Sequence, residues 1–149
     1  MAVSRLLIDG DGCPVVGEAV ELARRHGWSS LIFCDTAHQL ALAGAETITV
    51  SKGRDSADFA LVNRVTAGDV VVTQDYGLAA MCLAKGAVVL NQDGQDYTPE
   101  NMDALLYTRY LNQKARRAGG RCKGPSKRRA AQTAQFCRRL AQVLEEKRG

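Results

Sequence analysis

Asp9, Asp11, Asp58 and Asp75 are spread over sixty-odd positions, yet a chain path of alternating strands and helices brings them to a single edge of a single sheet. The first two sit in Leu6-Leu7-Ile8-Asp9-Gly10-Asp11-Gly12-Cys13-Pro14, where an apolar run stops in an acid, a glycine and a second acid. Asp58 opens a later helix, and Asp75 ends the run Val70-Val71-Val72-Thr73-Gln74-Asp75. The carboxyl ends of parallel strands open onto one crevice, which is where α/β proteins place ligands. Mg²⁺ and Mn²⁺ prefer hard carboxylate oxygens and keep several waters, so converging aspartates suit a cation that must also meet a phosphate oxygen and a nucleophilic water. The pattern predicts a metal-dependent enzyme acting on phosphate-bearing substrates. Asp9, Asp58 and Asp75 are the expected ligands or supporting acids, Asp11 a ligand or general base, and Thr73, Lys52 and Arg54 the groups that orient or neutralise a phosphate.

Each acid also has a plainer explanation. Asp58 falls in the first turn of a helix, Asp75 is placed to be an N-cap, and Asp11 can fix the turn before Pro14. Capping does not explain why Asp9 ends a strand with another acid two residues on. Cys13 lies near a helix N-terminus, which would lower its pKa, but no histidine is placed by sequence as its base, and a buried small side chain is the better reading. His38 falls in a loop as a surface residue. Gly10-Asp11-Gly12 is not a dinucleotide fingerprint, and the chain has no phosphate-binding P-loop.

Alternating strands and helices must position these residues. Leu6 to Asp9 is a short strand, and Pro14 suits the first turn of a helix that runs to His26-Gly27 with Val16, Val20 and Ala23 as its apolar stripe. Leu31 to Cys34 is a second strand, 39–45 one or two helical turns, and Glu46 to Val50 a third strand. Ser56 can cap a helix with Phe59, Val62 and Val65 on one face. Val70 to Gln74 is a buried strand, Leu78 to Lys85 a helix stopped by Gly86, and Ala87 to Leu90 the last strand. The expectation is an α/β fold with helices on both faces of a mainly parallel sheet of about four to five strands, doubly wound and Rossmann-like. Two helices follow. Thr98-Pro99-Glu100 is a strong helix start, Gly119 to Pro125 a break, and Ser126 the start of a last helix with Phe136, Leu140, Val143 and Leu144 facing the core. Neither helix has the apolar surface to fold alone, so 1–149 is expected to be one domain with 98–149 a basic helical annex.

The 149 residues are 46% hydrophobic, which is enough to bury a core without staples. No apolar stretch approaches the roughly 20 residues that span a bilayer, and the expected location is cytoplasmic, away from membranes. Five scattered cysteines, with no C-x-x-C pair, and two histidines without ligand spacing argue against structural zinc and a disulfide framework. The net charge of +4 conceals a split: from Arg109 onward thirteen Lys/Arg face only Glu145 and Glu146. Such an asymmetry points to a polyanionic partner, nucleic acid above all, with Lys127, Arg128 and Arg129 among its contacts.

In order along the chain, Asp9-Gly10-Asp11-Gly12-Cys13-Pro14-Val15, Ser56-Ala57-Asp58, Val71-Val72-Thr73-Gln74-Asp75-Tyr76-Gly77-Leu78-Ala79, Asn91-Gln92-Asp93-Gly94 with Tyr97-Thr98, and Gly124-Pro125 resemble the YaiI/YqxD family of bacterial proteins. The first motif is the specific one. The resemblance covers nearly the whole chain and implies a fold similar to PIN-like nuclease domains, with an acidic pocket that binds Mg²⁺ or Mn²⁺. It departs at Gly10 and Gly12, where the family has alanines, at Tyr76-Gly77, and in the basic run Ser126-Lys127-Arg128-Arg129. The function expected from the acids, this fold and the basic region together is a metal-dependent phosphodiester hydrolase of the PIN-like ribonuclease type, with RNA the favoured partner. Two alternatives stand beside it. One is a non-catalytic RNA-binding protein that uses the basic helical region. The other is a phosphatase of the haloacid dehalogenase type, whose D-x-D-G opening Asp9-Gly10-Asp11-Gly12 resembles, although no paired-acid metal motif follows Asp75 and no cap domain is evident.

Overall fold

A computed structural model describes residues 5–35, 44–50, 56–117 and 128–147, without the side chains of 35, 56–58, 105, 109 and 116. Its elements in chain order are β1 (Arg5–Asp9), α1 (Val16–Arg25), β2 (Ser29–Asp35), β3 (Ala45–Val50), α2 (Ser56–Arg64), β4 (Val70–Val72), α3 (Tyr76–Ala84), β5 (Val88–Leu90), β6 (Asp96–Tyr97), α4 (Pro99–Arg117) and α5 (Ala130–Glu146). The six strands lie in the order β3-β2-β1-β4-β5-β6. All neighbours are parallel except β5 and β6. The chain winds outward from β1 to β3 and then returns to its other side, so the direction of winding reverses between β1 and β4.

Both faces of the central strands are covered, which is why they read as continuous apolar runs. Side chains alternate across the sheet. Leu6, Ile8, Ile32, Val70, Val72 and Leu90 face a core closed by Val16, Ala19, Val20 and Ala23 of α1 and by Phe136, Leu140, Val143 and Leu144 of α5. Leu7, Leu31, Phe33, Val71 and Val89 face the other, closed by Leu61 and Val65, by Leu78, Ala79 and Cys82 of α3, and by Met102 of α4. The result is three layers, with α5 a full wall of the first core. At the amino edge, buried Asp69 accepts from the Arg5 amide (3.2 Å), the Arg5 guanidinium (3.1 Å), the Thr66 amide (2.9 Å) and the Thr66 hydroxyl (3.1 Å).

Several boundaries differ from the sequence reading. A sixth strand exists because Asn91 builds a tight turn: its Oδ1 accepts from the amides of Asp93 (2.8 Å) and Gln95 (2.9 Å), and Gly94 takes a φ of +80°. At two residues β6 is too short for an alternating pattern to mark. Phe59 is 60% exposed and Leu61 is buried in its stead, while Val65 is buried and Val62 packs partly against the same core, so the apolar face keeps two of its three expected positions. Helix α3 begins at Tyr76, two residues before the expected start, because Asp75 caps it. Arg128 and Arg129 precede α5, which begins at Ala130, where Gln132 Oε1 accepts from the Arg129 amide at 2.7 Å. Thr98 starts α4 as expected: its hydroxyl accepts from the Asn101 amide (3.2 Å), and Asn101 Oδ1 accepts from the Thr98 amide (2.9 Å). The helical turns expected over 39–45 and the break over 119–125 fall essentially outside the described residues.

Candidate functional site

The carboxyl ends of β1 and β4 are neighbours at the point where the winding reverses, the place where open α/β sheets hold ligands. Asp9 is the last residue of β1, and the chain leaves the strand through a hydrogen bond from the Gly10 amide to the Phe33 carbonyl (2.8 Å). On the β4 side, the Thr73 amide donates to the Leu90 carbonyl (3.0 Å), which holds Thr73 at the strand end with only 1% of its surface exposed. Its hydroxyl donates to Asp9 Oδ2 (2.8 Å) and accepts from the Asp75 amide (3.0 Å). Asp75 Oδ1 in turn accepts from the Leu78 amide (3.0 Å) at the start of α3. A single buried hydroxyl therefore joins the two acid-bearing strand ends, and both acids are half-buried.

The loops are cross-tied as well. Gln74 Nε2 donates to the Gly12 carbonyl (2.8 Å), joining the turn that carries Asp11 to the loop between β4 and α3. Gly12 has a φ of +73°, so an alanine there would be strained even though its Cβ would meet nothing within 4 Å. Cys13 is pushed above its ordinary pKa, chiefly by burial and further by the charge of Asp9, against a lowering by the Val15 amide and Arg128. That reverses the lowering expected from the helix terminus, and the Cys13 side chain is half-buried against the first core rather than fully enclosed. Tyr97 packs its ring edge-on to Tyr76 (5.9 Å, 71°), and its hydroxyl is also pushed up, first by burial and then by Tyr76, Asp75 and Asp93.

Arg128 stands at the same edge, beyond β5. Its Nη1 donates to Asp93 Oδ1 (2.8 Å), its Nη2 to the Gln92 carbonyl (2.6 Å) and its Nε to the Thr133 hydroxyl (3.1 Å). The guanidinium is thus fixed against the turn before β6 and acts electrostatically on Cys13. Nearby, Gln92 Oε1 is a buried acceptor with no hydrogen-bond partner among the described residues. Arg129 is exposed just before α5. Asp58 lies in the first turn of α2, which leaves the carboxyl end of β3 and so begins on the same edge, while its side chain is outside the description. Lys52, Arg54 and Lys127 also lie outside the described residues.

The donor chemistry of this edge fits a hard divalent cation. Mg²⁺ is commonly held by one or two carboxylates together with waters and substrate phosphates, and Asp9 and Asp75 supply two on either side of Thr73. Among the described residues there is no group of three His, Cys, Asp or Glu placed to hold a metal. Sequence reasoning missed Gln74 and the clamp of Arg128 on Asp93, since neither a strand-end amide nor a contact between residues this far apart leaves a local signal.

The molecule defined by this fold is a doubly wound α/β protein with two aspartates, Asp9 and Asp75, joined through Thr73 at its switch point. The model of the family described as "Uncharacterized BCR, YaiI/YqxD family" matches residues 7–146, and the chain belongs to that family. It is 50% identical over 143 residues to a UPF0178 protein of Exiguobacterium sibiricum, covering 96% of this chain and 98% of the relative. It is 42% identical to one from Clostridium kluyveri (94% and 92% covered) and 38% identical to one from Natranaerobius thermophilus (94% and 95%). No helix among the described residues is long and apolar enough to cross a membrane.

Proposed function

We propose that this protein is a metal-dependent phosphodiester hydrolase of the PIN-like ribonuclease type, acting in the cytoplasm on single-stranded RNA at the Asp9–Thr73–Asp75 crevice. The observation that carries this reading is the Thr73 hydroxyl, which donates to Asp9 and accepts from the Asp75 amide at the sheet's switch point. Asp9 and Asp75, with Asp58 as the third acid, would hold Mg²⁺ or Mn²⁺. Such an ion, when bound, neutralises a phosphate oxygen and makes a water more acidic. Thr73 keeps Asp9 oriented through the hydrogen bond that its hydroxyl donates to Oδ2. Asp11, in the turn tied down through Gln74, is the acid available to take a proton from the attacking water. Lys52, Arg54, Lys127 and Arg129 would capture the phosphate backbone by charge. Arg128 is already held rigidly at the crevice rim, so it adds positive potential without ordering cost.

The test is an assay on short single-stranded RNA with Mn²⁺. Wild-type protein should release phosphodiester cleavage products, and Asp9→Asn should lose them, at least about a hundredfold in rate, while still binding RNA. Phosphate released from small monoesters instead would favour the haloacid-dehalogenase-like chemistry. Salt-sensitive binding with no product from any substrate would leave an RNA-binding protein and end the enzyme reading.

A further inference from the structure

Helix α4 leaves the body of the protein after Met102, and its outward face is unusual for a solvated helix. Leu106 (41% exposed), Tyr107 (62%), Tyr110 (55%) and Leu111 (44%) form a contiguous apolar stripe, with the two tyrosine rings stacked at 6.5 Å and 28°. Stripes of this kind on a soluble domain mark an interaction surface. The charges around it say what fits. Glu100 and Asp103 lie on the stripe's amino-terminal side and Lys114 and Arg117 on its carboxyl-terminal side, all exposed. At 100° per residue these eight positions fall on one arc of about 140°.

Their order along the helix is a palindrome about the Thr108–Arg109 bond. Reading outward from that point, Tyr107 mirrors Tyr110 and Leu106 mirrors Leu111, while Asp103 mirrors Lys114 and Glu100 mirrors Arg117. The aromatic and aliphatic positions mirror their own kind, and each acid mirrors a base. Complementing the helix dipole accounts for acids at one end and bases at the other, but not for four large apolar side chains held in water between them. A two-fold axis through the centre of the stripe does account for the whole set, because an isologous contact sets each residue of one copy opposite its mirror in the other.

We propose that α4 is a self-association surface, on which a second copy of this chain packs antiparallel across a two-fold axis. Tyr107 then meets the partner's Tyr110, Leu106 meets the partner's Leu111, and Asp103 and Glu100 face the partner's Lys114 and Arg117. A parallel pairing would set acid against acid and base against base, so the charge pattern selects the antiparallel orientation. The helix from Glu100 to Arg117 rises about 1.5 Å per residue, and a shallow antiparallel crossing keeps the two stripes in contact along that length.

Sedimentation velocity of the full chain over a range of concentrations tests this. Wild-type protein should show a reversible monomer–dimer equilibrium. Asp103→Lys alone and Lys114→Asp alone should each weaken dimerisation by about tenfold or more, since each sets like charges against one another across the axis. The double variant Asp103→Lys/Lys114→Asp restores both opposite-charge contacts and should recover the wild-type constant. Circular dichroism should confirm unchanged helix content in all three, as these side chains are exposed. A wild-type monomer at every concentration would overturn the proposal. So would a dimer indifferent to the single reversals, or one that the double variant fails to recover.

Discussion

Thr73 carries more of the site than its small side chain suggests. Its hydroxyl is the common partner of the Asp9 carboxylate and the Asp75 amide, and it has no water-exposed alternative. Thr73→Val keeps the shape and removes the hydroxyl, so Asp9 Oδ2 loses this donor and the Asp75 amide loses this acceptor. Chemical denaturation should show a loss of about 1–3 kcal/mol, and Mn²⁺-dependent cleavage should fall even where the protein remains folded. Thr73→Ser, which keeps the hydroxyl, should retain most of the activity. Cys13 offers a pH test of the same crevice. Its thiol is raised, so the neutral form is favoured in the folded state. Any contribution to stability is therefore present below the thiol's ordinary pKa and lost as pH climbs through the raised folded value. In metal-free protein, alkylation of Cys13 near pH 8 should be slower than that of an exposed thiol and should accelerate only in more alkaline buffer; fast labelling at pH 8 would show that burial does not control this residue.

At the scale of elements, the turn between β5 and β6 fixes where Arg128 stands. Gly94 has a φ of +80°, and a Cβ there would meet the Gln135 carbonyl oxygen and Phe136 Cα at 2.9 Å each. Gly94→Ala should therefore cost about 2–4 kcal/mol by thermal or chemical unfolding, from backbone strain and overpacking against α5. A wild-type melting temperature would mean that turn and helix separate easily. Much of this scale is legible in sequence. The end of β1 at Asp9, the Thr98 cap and the buried face Phe136-Leu140-Val143-Leu144 all follow from local pattern, whereas β4 stops at Val72, two residues before the expected Gln74. What local pattern omits is long-range. Strand β6 is held by its pairing with β5 across the turn that Asn91 builds, and α2 presents Leu61 where Phe59 was expected because it must meet Leu7 and Phe33. At the site, convergence of Asp9 and Thr73 is readable from strand ends, whereas the ties through Gln74 and Asp93 depend on which loops the finished sheet brings together.

On the scale of the whole molecule, charge is divided between an acidic body and a basic carboxyl-terminal region, which suits capture of a polyanion by one part and its processing by the other. Binding of single-stranded RNA should then weaken with salt at a log–log slope of roughly 0.7 per phosphate neutralised. Lys127→Ala with Arg129→Ala should lower both affinity and slope, as fluorescence anisotropy at several salt concentrations would measure. An unchanged slope would mean that these two side chains are merely solvated. Arg128 is left out of that pair because its loss would also remove the ion pair to Asp93 and the tie to the Gln92 carbonyl, loosening the turn.

The most direct test is whether the Asp9–Thr73–Asp75 crevice holds a divalent cation, measured by thermal unfolding with increasing Mn²⁺ for wild-type protein and for Asp9→Asn. Like-charged carboxylates at one sheet edge repel, and a cation that binds only the folded state stabilises it by about 2.7 kcal/mol at a hundredfold excess over its dissociation constant. The wild-type melting temperature should rise with Mn²⁺ and saturate, while Asp9→Asn should begin higher in metal-free buffer and respond little. A wild-type melting temperature indifferent to millimolar Mn²⁺, or an equal rise in Asp9→Asn, would contradict a metal centre at this crevice.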